Sequence, residues 1–507
     1  MSKNKVAIGE QGITDARQLG TGRMLILGIQ HMFAMFGATV LVPILTGLDV
    51  ATTLLMAGLG TLLFHIITKF KVPAFLGSSF AFLGGYAAVA PKLADGSSNT
   101  ELLPYACLGV ACAGLVYLVL ALIIKLVGVQ KVMRFFPPVV TGPIIICIGL
   151  ILAPSAINNC TTNWLLAIVA LAIVIIFNIW GKGMAKIVPI LLGVVGAYIV
   201  ALILYLIGEG NPDLIQSMPW LFAGGSTINE AGEVVYTAIF DFSGIKAILA
   251  NIGEGKIWGN LIGLPIHKNS TILGVDFTNV SLVISSIIAI VPISLATMME
   301  HIGDISAIGA TTGNNFIREP GLHRTLIGDG LATTFSSVFG GPANTTYGEN
   351  TGVLALSRVY DPRVIRIAAY FAVGVSFFPL VSAVISTIPT AVIGGISFVL
   401  YGMISSIGVR NVVESQTDFT KSRNLIVSAV ILVCGLGLGS GISFSIAGIT
   451  ITLTSLAVAA LAGIILNAIL PGKDYVFKTE DPKDTGVNFA VGANSKRQEK
   501  EPKADAE

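Results

Sequence analysis

Charge is scarce in this chain. Only 11% of its 507 residues are Asp, Glu, Lys or Arg, 54% are hydrophobic, and mean hydropathy is +0.83. Soluble domains carry about 25% charged residues, so a water-facing globular surface is excluded over most of the length. Cysteine is scarce too. Cys107, Cys112, Cys147, Cys160 and Cys434 fall mostly inside apolar runs and are not arranged as pairs, which argues against a disulfide framework or a CxxC metal site. The chain has no HExxH, no P-loop and no Ser/His/Asp arrangement, so an enzyme, a metal or a cofactor finds no support. The glycines of residues 435–441 lack the strand and acidic partner of a dinucleotide fingerprint and suit close helix packing instead. The net charge of +2 is spread over loops and marks no nucleic-acid surface.

What is present is a series of apolar runs. A bilayer core takes about 20 apolar residues of helix. Fourteen segments read as spans: 24–46, 52–68, 75–91, 103–124, 137–155, 164–180, 187–208, 281–302, 325–341, 343–358, 364–386, 388–407, 424–441 and 443–471. The first follows a polar tail and is long enough to span, so no cleavable signal peptide is expected. Lys and Arg test the count, because they concentrate on the cytoplasmic side. Alternating the loops puts 26 of the 30 on one side and only Lys92, Lys246, Lys256 and Lys268 on the other. Both termini are therefore expected in the cytoplasm of a multi-pass plasma-membrane protein, with residues 209–280 outside. The 472–507 tail is charged and expected to be disordered.

The two halves read as repeats. Pro137, Val140, Gly142 and Ile144 match Pro389, Val392, Gly394 and Ile396 in spacing, and Gly77 to Phe80 resembles Asn344 to Tyr347. Seven spans per half places the repeats upside down relative to each other. The expected fold is thus an all-α polytopic membrane protein of two inverted seven-span repeats. Residues 72–80 and 340–347 carry Pro, Gly and hydroxyl residues, poor helix formers. Each is expected to run extended and then turn helical, leaving two short strands in broken spans 3 and 10. Extended backbone at bilayer depth survives only inside protein or at a cavity. Broken spans at matching places in inverted repeats point to a midplane binding site of a secondary transporter.

Two carboxylates sit in these apolar surroundings, Glu300 and Glu349. Ionisable residues at this depth mark substrate or ion pathways by default. Asp304 lies four residues after Glu300, on the same helix face. Two carboxylates in a dry site do not both ionise cheaply, so the pair is a candidate proton carrier. Glu349 follows Gly348, which exposes backbone N–H to a ligand. Phe80, Tyr347 and Tyr401 offer flat walls. A planar ligand with ring N–H donors and carbonyl acceptors, a pyrimidine or an oxopurine, suits these parts. His31 is as well suited to packing as to function, and Asp329 reads as a structural partner.

The residues Gln30 to Pro43, Pro73 to Phe82, Glu300 to Gly303, Pro320 to Arg324 and Asn344 to Gly352 resemble the nucleobase–ascorbate transporters (nucleobase:cation symporter-2), and among them the bacterial uracil permeases. The resemblance covers roughly residues 20–471. It implies a cytoplasmic tail (1–23), a core domain (24–128 and 281–386), a gate domain (135–208 and 388–471), an external loop (209–280) and a second tail (472–507). It implies proton-coupled uptake of uracil by alternating access. Glu300 and Glu349 would bind the ring, the backbones of Phe80 and Gly348 its carbonyls, and Ala38, Tyr347 and Tyr401 would shape the pocket. Glu349 stands where the xanthine and urate branch usually has Gln, which favours uracil. Asp304 stands where the uracil permeases have His and purine-type members often have Asp, which makes it a candidate in proton coupling. Ser357 stands where the family usually has Thr before the basic residue. The alternatives are a xanthine or oxopurine permease, or an anion transporter on a related inverted-repeat fold. A homodimer is left open.

Overall fold

The computed structural model describes residues 12–93, 97–209, 211–228, 234–266, 271–439, 441–446, 449–472 and 475. The N-terminal residues 1–11, most of the 472–507 tail and Lys268 lie outside the described residues.

Apolar runs become helices where caps allow. Helix α1 (Thr21–Thr46) ends at Gly47, whose left-handed backbone turns its N–H to the Pro43 carbonyl at 2.8 Å. Asp49 then caps α2 (Val50–Ile67), its carboxylate accepting from the Thr52 N–H at 2.6 Å. Strand β1 (Leu76–Ser78) and a 3-10 turn lead into the short α3 (Leu83–Val89). The first half continues with α4 (Leu103–Val127), α5 (Pro138–Cys160), α6 (Trp164–Trp180) and α7 (Pro189–Glu209). Residues beyond it form the hairpin β2 (Ala223–Ile228) and β3 (Val234–Ala238), then α8 (Ser243–Gly253).

The second half opens with α9 (Val280–Ile290), broken at Pro292 and resumed as α10 (Ser294–Thr312). Next come α11 (Leu322–Val338), β4 (Asn344–Thr346) and α12 (Gly348–Ser357). Helices α13 (Pro362–Ser376) and α14 (Pro379–Ser386) meet at an 87° bend. Then follow α15 (Thr390–Glu414), α16 (Ser422–Gly437), the hairpin β5 (Ile442–Ile446) and β6 (Ile449–Leu453), and α17 (Ser455–Ile469).

Among the described residues seven helices are long and apolar enough to cross a membrane, and the bent pair brings this to eight. The chain is therefore a mostly helical, multi-pass membrane protein. Every expected segment coincides with a helix or a strand–helix unit, but several fall short of a full span. The expected span at 443–471 begins as a hairpin, which leaves α17 only 15 residues long. Two further hairpins thus exceed the two strands expected. For β5 and β6 the cause is alternation: Ile, Ser, Phe, Ser, Ile against Ile, Thr, Ile, Thr, Leu has the period of a strand.

The two broken segments meet. Strand β1 pairs antiparallel with β4 in the register Leu76–Thr346, Gly77–Thr345, Ser78–Asn344, and all six residues are buried. The link extends on both sides, Ser79 N–H to the Ala343 carbonyl at 2.9 Å and Tyr347 N–H to the Phe75 carbonyl at 3.0 Å. Helices flanking this bridge approach closely. A Cβ on Gly114 of α4 would lie 2.6 Å from the Gly330 carbonyl oxygen of α11. A Cβ on Gly149 of α5 would lie 2.2 Å from the Tyr401 carbonyl oxygen of α15. Small residues set these two seams, α4 on α11 and α5 on α15.

Candidate functional site

A cavity of about 1040 Å³ runs from the strand pair to one face of the molecule. Its inner end is lined by Ser79, Phe80, Glu300, Asp304, Gly348 and Glu349. Thr141 and Ile145 of α5, and Leu400 and Ile404 of α15, form the opposite wall. Arg134, Glu414, Asp418 and Lys421 rim its mouth.

Each polar group arrives there for a local reason. Glu300 and Asp304 sit one turn apart on α10, which continues to Thr312 and so carries both. Glu349 occupies the first turn of α12, whose N-cap Tyr347 makes no side-chain cap hydrogen bond. The first N–H groups of a helix have no intrahelical partner and carry partial positive charge. That end of α12 borders the cavity at Gly348 and Glu349. Among the described residues neither Glu300 nor Glu349 is ion-paired, and both are only part-buried. The inner end therefore offers acceptors from two carboxylates and donors from helix-end backbone within one enclosure.

The walls are held by hydrogen bonds across the strand pair. The Tyr347 hydroxyl donates to the Ser78 carbonyl at 2.8 Å, and the Ser78 hydroxyl donates to the Thr39 carbonyl at 2.6 Å. Phe80 meets Tyr401 edge to face, with centroids 6.4 Å apart. Tyr401 is buried on α15, and Ala38 is fully buried on α1 in the same apolar cluster as Tyr347. The structure thus brings Glu300, Asp304, Glu349, Gly348, Phe80 and Tyr347 to the cavity. Ala38 and Tyr401 lie behind that surface.

Behind Asp304 lies a group that sequence reasoning left apart. Thr346 of β4 donates to the Asp304 carboxylate at 2.8 Å, and its hydroxyl oxygen is 3.3 Å from His301 Nδ1. His301 Nδ1 is also 3.4 Å from the Asp329 carboxylate, with both side chains fully buried. The Tyr117 hydroxyl donates to Thr297 at 2.6 Å nearby. Asp329 thus faces a buried histidine. Thr346 went unnoticed because a threonine in an apolar run has no signature of its own. Only the pairing of β1 with β4 brings it to α10. His31 is buried beside Asn350, whose amide donates to the His31 carbonyl at 3.0 Å.

A cavity at paired broken segments, lined by unpaired carboxylates and bounded by apolar helices, defines a membrane transporter. The sequence comparisons agree. The profile of the Permease family matches residues 22–444, and the chain belongs to that family. It is 37% identical over 461 residues to the uracil permease of Bacillus caldolyticus, covering 89% of this chain and 93% of that one. It is 36% identical over 484 residues to the uracil permease of Bacillus subtilis, covering 93% and 97%. It is also 34% identical over 452 residues to a putative pyrimidine permease of Escherichia coli, covering 88% and 89%. Among solved structures, the transmembrane domain of the cyanobacterial bicarbonate transporter BicA aligns over 90% of this chain and 99% of its own, with TM-score 0.56 and 14% identity. SLC26A9 aligns over 88% and 64%, with TM-score 0.54 and 12% identity. At such identities these two establish fold alone. The protein is a multi-pass membrane transporter, not an enzyme.

Proposed function

We propose that this permease carries uracil inward by alternating access, coupled to protons. The observation that carries the reading is the pair of un-ion-paired carboxylates, Glu300 and Glu349, beside the open N-terminus of α12. Uracil presents two ring N–H donors and two carbonyl acceptors. Carboxylates accept from the former, and backbone N–H at Phe80 and Gly348 suits the latter. Tyr347, Phe80, Ala38 and Tyr401 shape the space for a flat ring. The similarity to uracil permeases supports the same substrate. An inorganic anion fits poorly beside two carboxylates, whatever the fold shares with bicarbonate transport.

On this reading the core domain (24–128 and 281–386) carries the site and the gate domain (135–208 and 388–471) slides against it. Both belong to a fourteen-span inverted repeat. The cavity mouth at Arg134, Glu414 and Lys421 is then the cytoplasmic one, and the structure is an inward-open state with cytoplasmic termini in the plasma membrane. Asp304 and Glu300 carry the coupling proton. Asp304 is tied through Thr346 to His301 and Asp329, so its proton and the strand pair move together. Neither a metal, a cofactor nor a second copy is needed for this cycle.

A second reading, a xanthine or oxopurine permease, rests on Asp304 itself, which replaces the His of the uracil permeases. Competition separates the two. Unlabelled uracil is expected to displace labelled uracil from proteoliposomes at far lower concentration than xanthine; the reverse order would assign the protein to oxopurines.

A further inference from the structure

The segment between β3 and α9 exposes more apolar surface than water accepts. Trp258 is 76% exposed, Leu264 62%, Ile257 53% and Leu249 52%. Large apolar side chains exposed together in one short segment point to an interaction surface. The fold fixes where this patch lies. Helix α1 starts at the N-terminal side and delivers the chain to Asp49, so the start of α2 is at the opposite face. There the Thr52 hydroxyl donates to the Pro265 carbonyl at 2.7 Å. Helix α13 starts beside the N-terminal segment, where Ile13 bridges Val359, so its far end is at that same opposite face. There the Gly263 N–H donates to the Phe377 carbonyl at 2.9 Å. Helix α14 leaves α13 at 87°, and α8 packs beside α14. If α13 runs along the bilayer normal, α14 lies in the membrane plane, and residues 243–265 are held level with the ends of the spans.

We propose that residues 243–265 form an interfacial collar seated in the lipid headgroup region on the face opposite the N-terminus. Its apolar side chains enter the acyl boundary. Helix α8 has the make-up of such an element. Ile245, Ile248 and Ile252 recur at helical spacing and are half-buried, while Lys246 stays exposed. Trp at the polar–apolar boundary is the residue that interfaces favour. A lipid occupant fits better than a protein partner, because the patch is fixed by hydrogen bonds at the level of the span ends. The same seat steadies the α13–α14 bend through Gly263. The inference needs only a multi-pass protein and is independent of its substrate.

The test uses the full chain in liposomes with Trp164→Phe, Trp180→Phe and Trp220→Phe, leaving Trp258 as the sole indole. Replacing the lipid with one brominated near the headgroup is expected to quench most of its emission, while aqueous acrylamide leaves it largely intact. Strong acrylamide quenching with no effect of bromine would place the segment in water and overturn the proposal. Protection from both would show a protein cover and overturn it equally. Should the triple variant misfold, the difference in quenching between the natural chain and Trp258→Phe gives the same readout.

Discussion

On the proposed function, Glu349 is the residue on which substrate choice turns. A carboxylate only accepts hydrogen bonds, whereas an amide also donates. Glu349→Gln replaces a charged acceptor with a neutral amide, and a hydrogen bond to a charged group is worth about 1.5–3 kcal/mol, so uracil affinity is expected to fall by up to about 10- to 150-fold. Equilibrium binding to the purified variant checks this, and unchanged affinity in a folded variant would remove Glu349 from the site. Asp304→Asn is expected to separate exchange from accumulation: internal and external nucleobase still exchange, while gradient-driven concentration falls. Thr346→Val deletes the donor to Asp304 and the neighbour of His301. With both left buried and less satisfied, a loss of about 1–3 kcal/mol in stability is expected, read as a lower unfolding temperature in detergent. At this scale the carboxylates were legible, because ionisable residues in apolar runs stand out. Thr346 was not, because its importance comes from a strand partner far away in the chain, Leu76.

The element that ties the site to the rest of the chain is an N-terminal strap. Ile13 N–H donates to the Arg358 carbonyl and Tyr360 N–H donates back to Ile13, both at 2.8 Å. Ala16 N–H donates to Asp361 at 2.8 Å, and Arg363 pairs with Asp15 at 2.8 Å. Arg358 directly follows α12, the helix that carries Glu349. Hydrogen bonding from Arg17 holds the Asp15 carboxyl well below the usual carboxylate range. A depressed folded-state value means this pairing is fully present above the ordinary Asp value near 4 and is lost as pH falls through the lower folded one. Amide exchange at Ile13 and Tyr360 is therefore expected to stay slow at pH 4, and Asp15→Asn to lose that protection in part at neutral pH. The broken spans were legible from their Pro, Gly and hydroxyl content. The β5–β6 hairpin was not taken from the sequence although its period-two alternation was there, because an apolar run of span length masks a strand pattern inside it.

For the molecule as a whole, the distribution of Lys and Arg supports the proposed orientation. On the proposed topology Thr100→Cys on a cysteine-free background is expected to react with an impermeant maleimide in intact cells, and Gln416→Cys only after permeabilisation. Both residues are exposed, so access and not burial decides the outcome. The reverse pattern would invert the topology and move the cavity mouth outside. The order of elements was legible from the apolar runs, and their contacts were not: a sequence does not say that α4 meets α11 at Gly114 and Gly330, or α5 meets α15 at Gly149.

On the proposed function, the cavity at Glu300 and Glu349 binds uracil and a proton drives its passage. Uptake of labelled uracil into proteoliposomes, with the outside more acidic than the lumen, tests it most directly. Accumulation above the external concentration, abolished by a protonophore and by Glu349→Gln, is the predicted result. Uptake that only equilibrates, or accumulation that ignores the proton gradient, would contradict it.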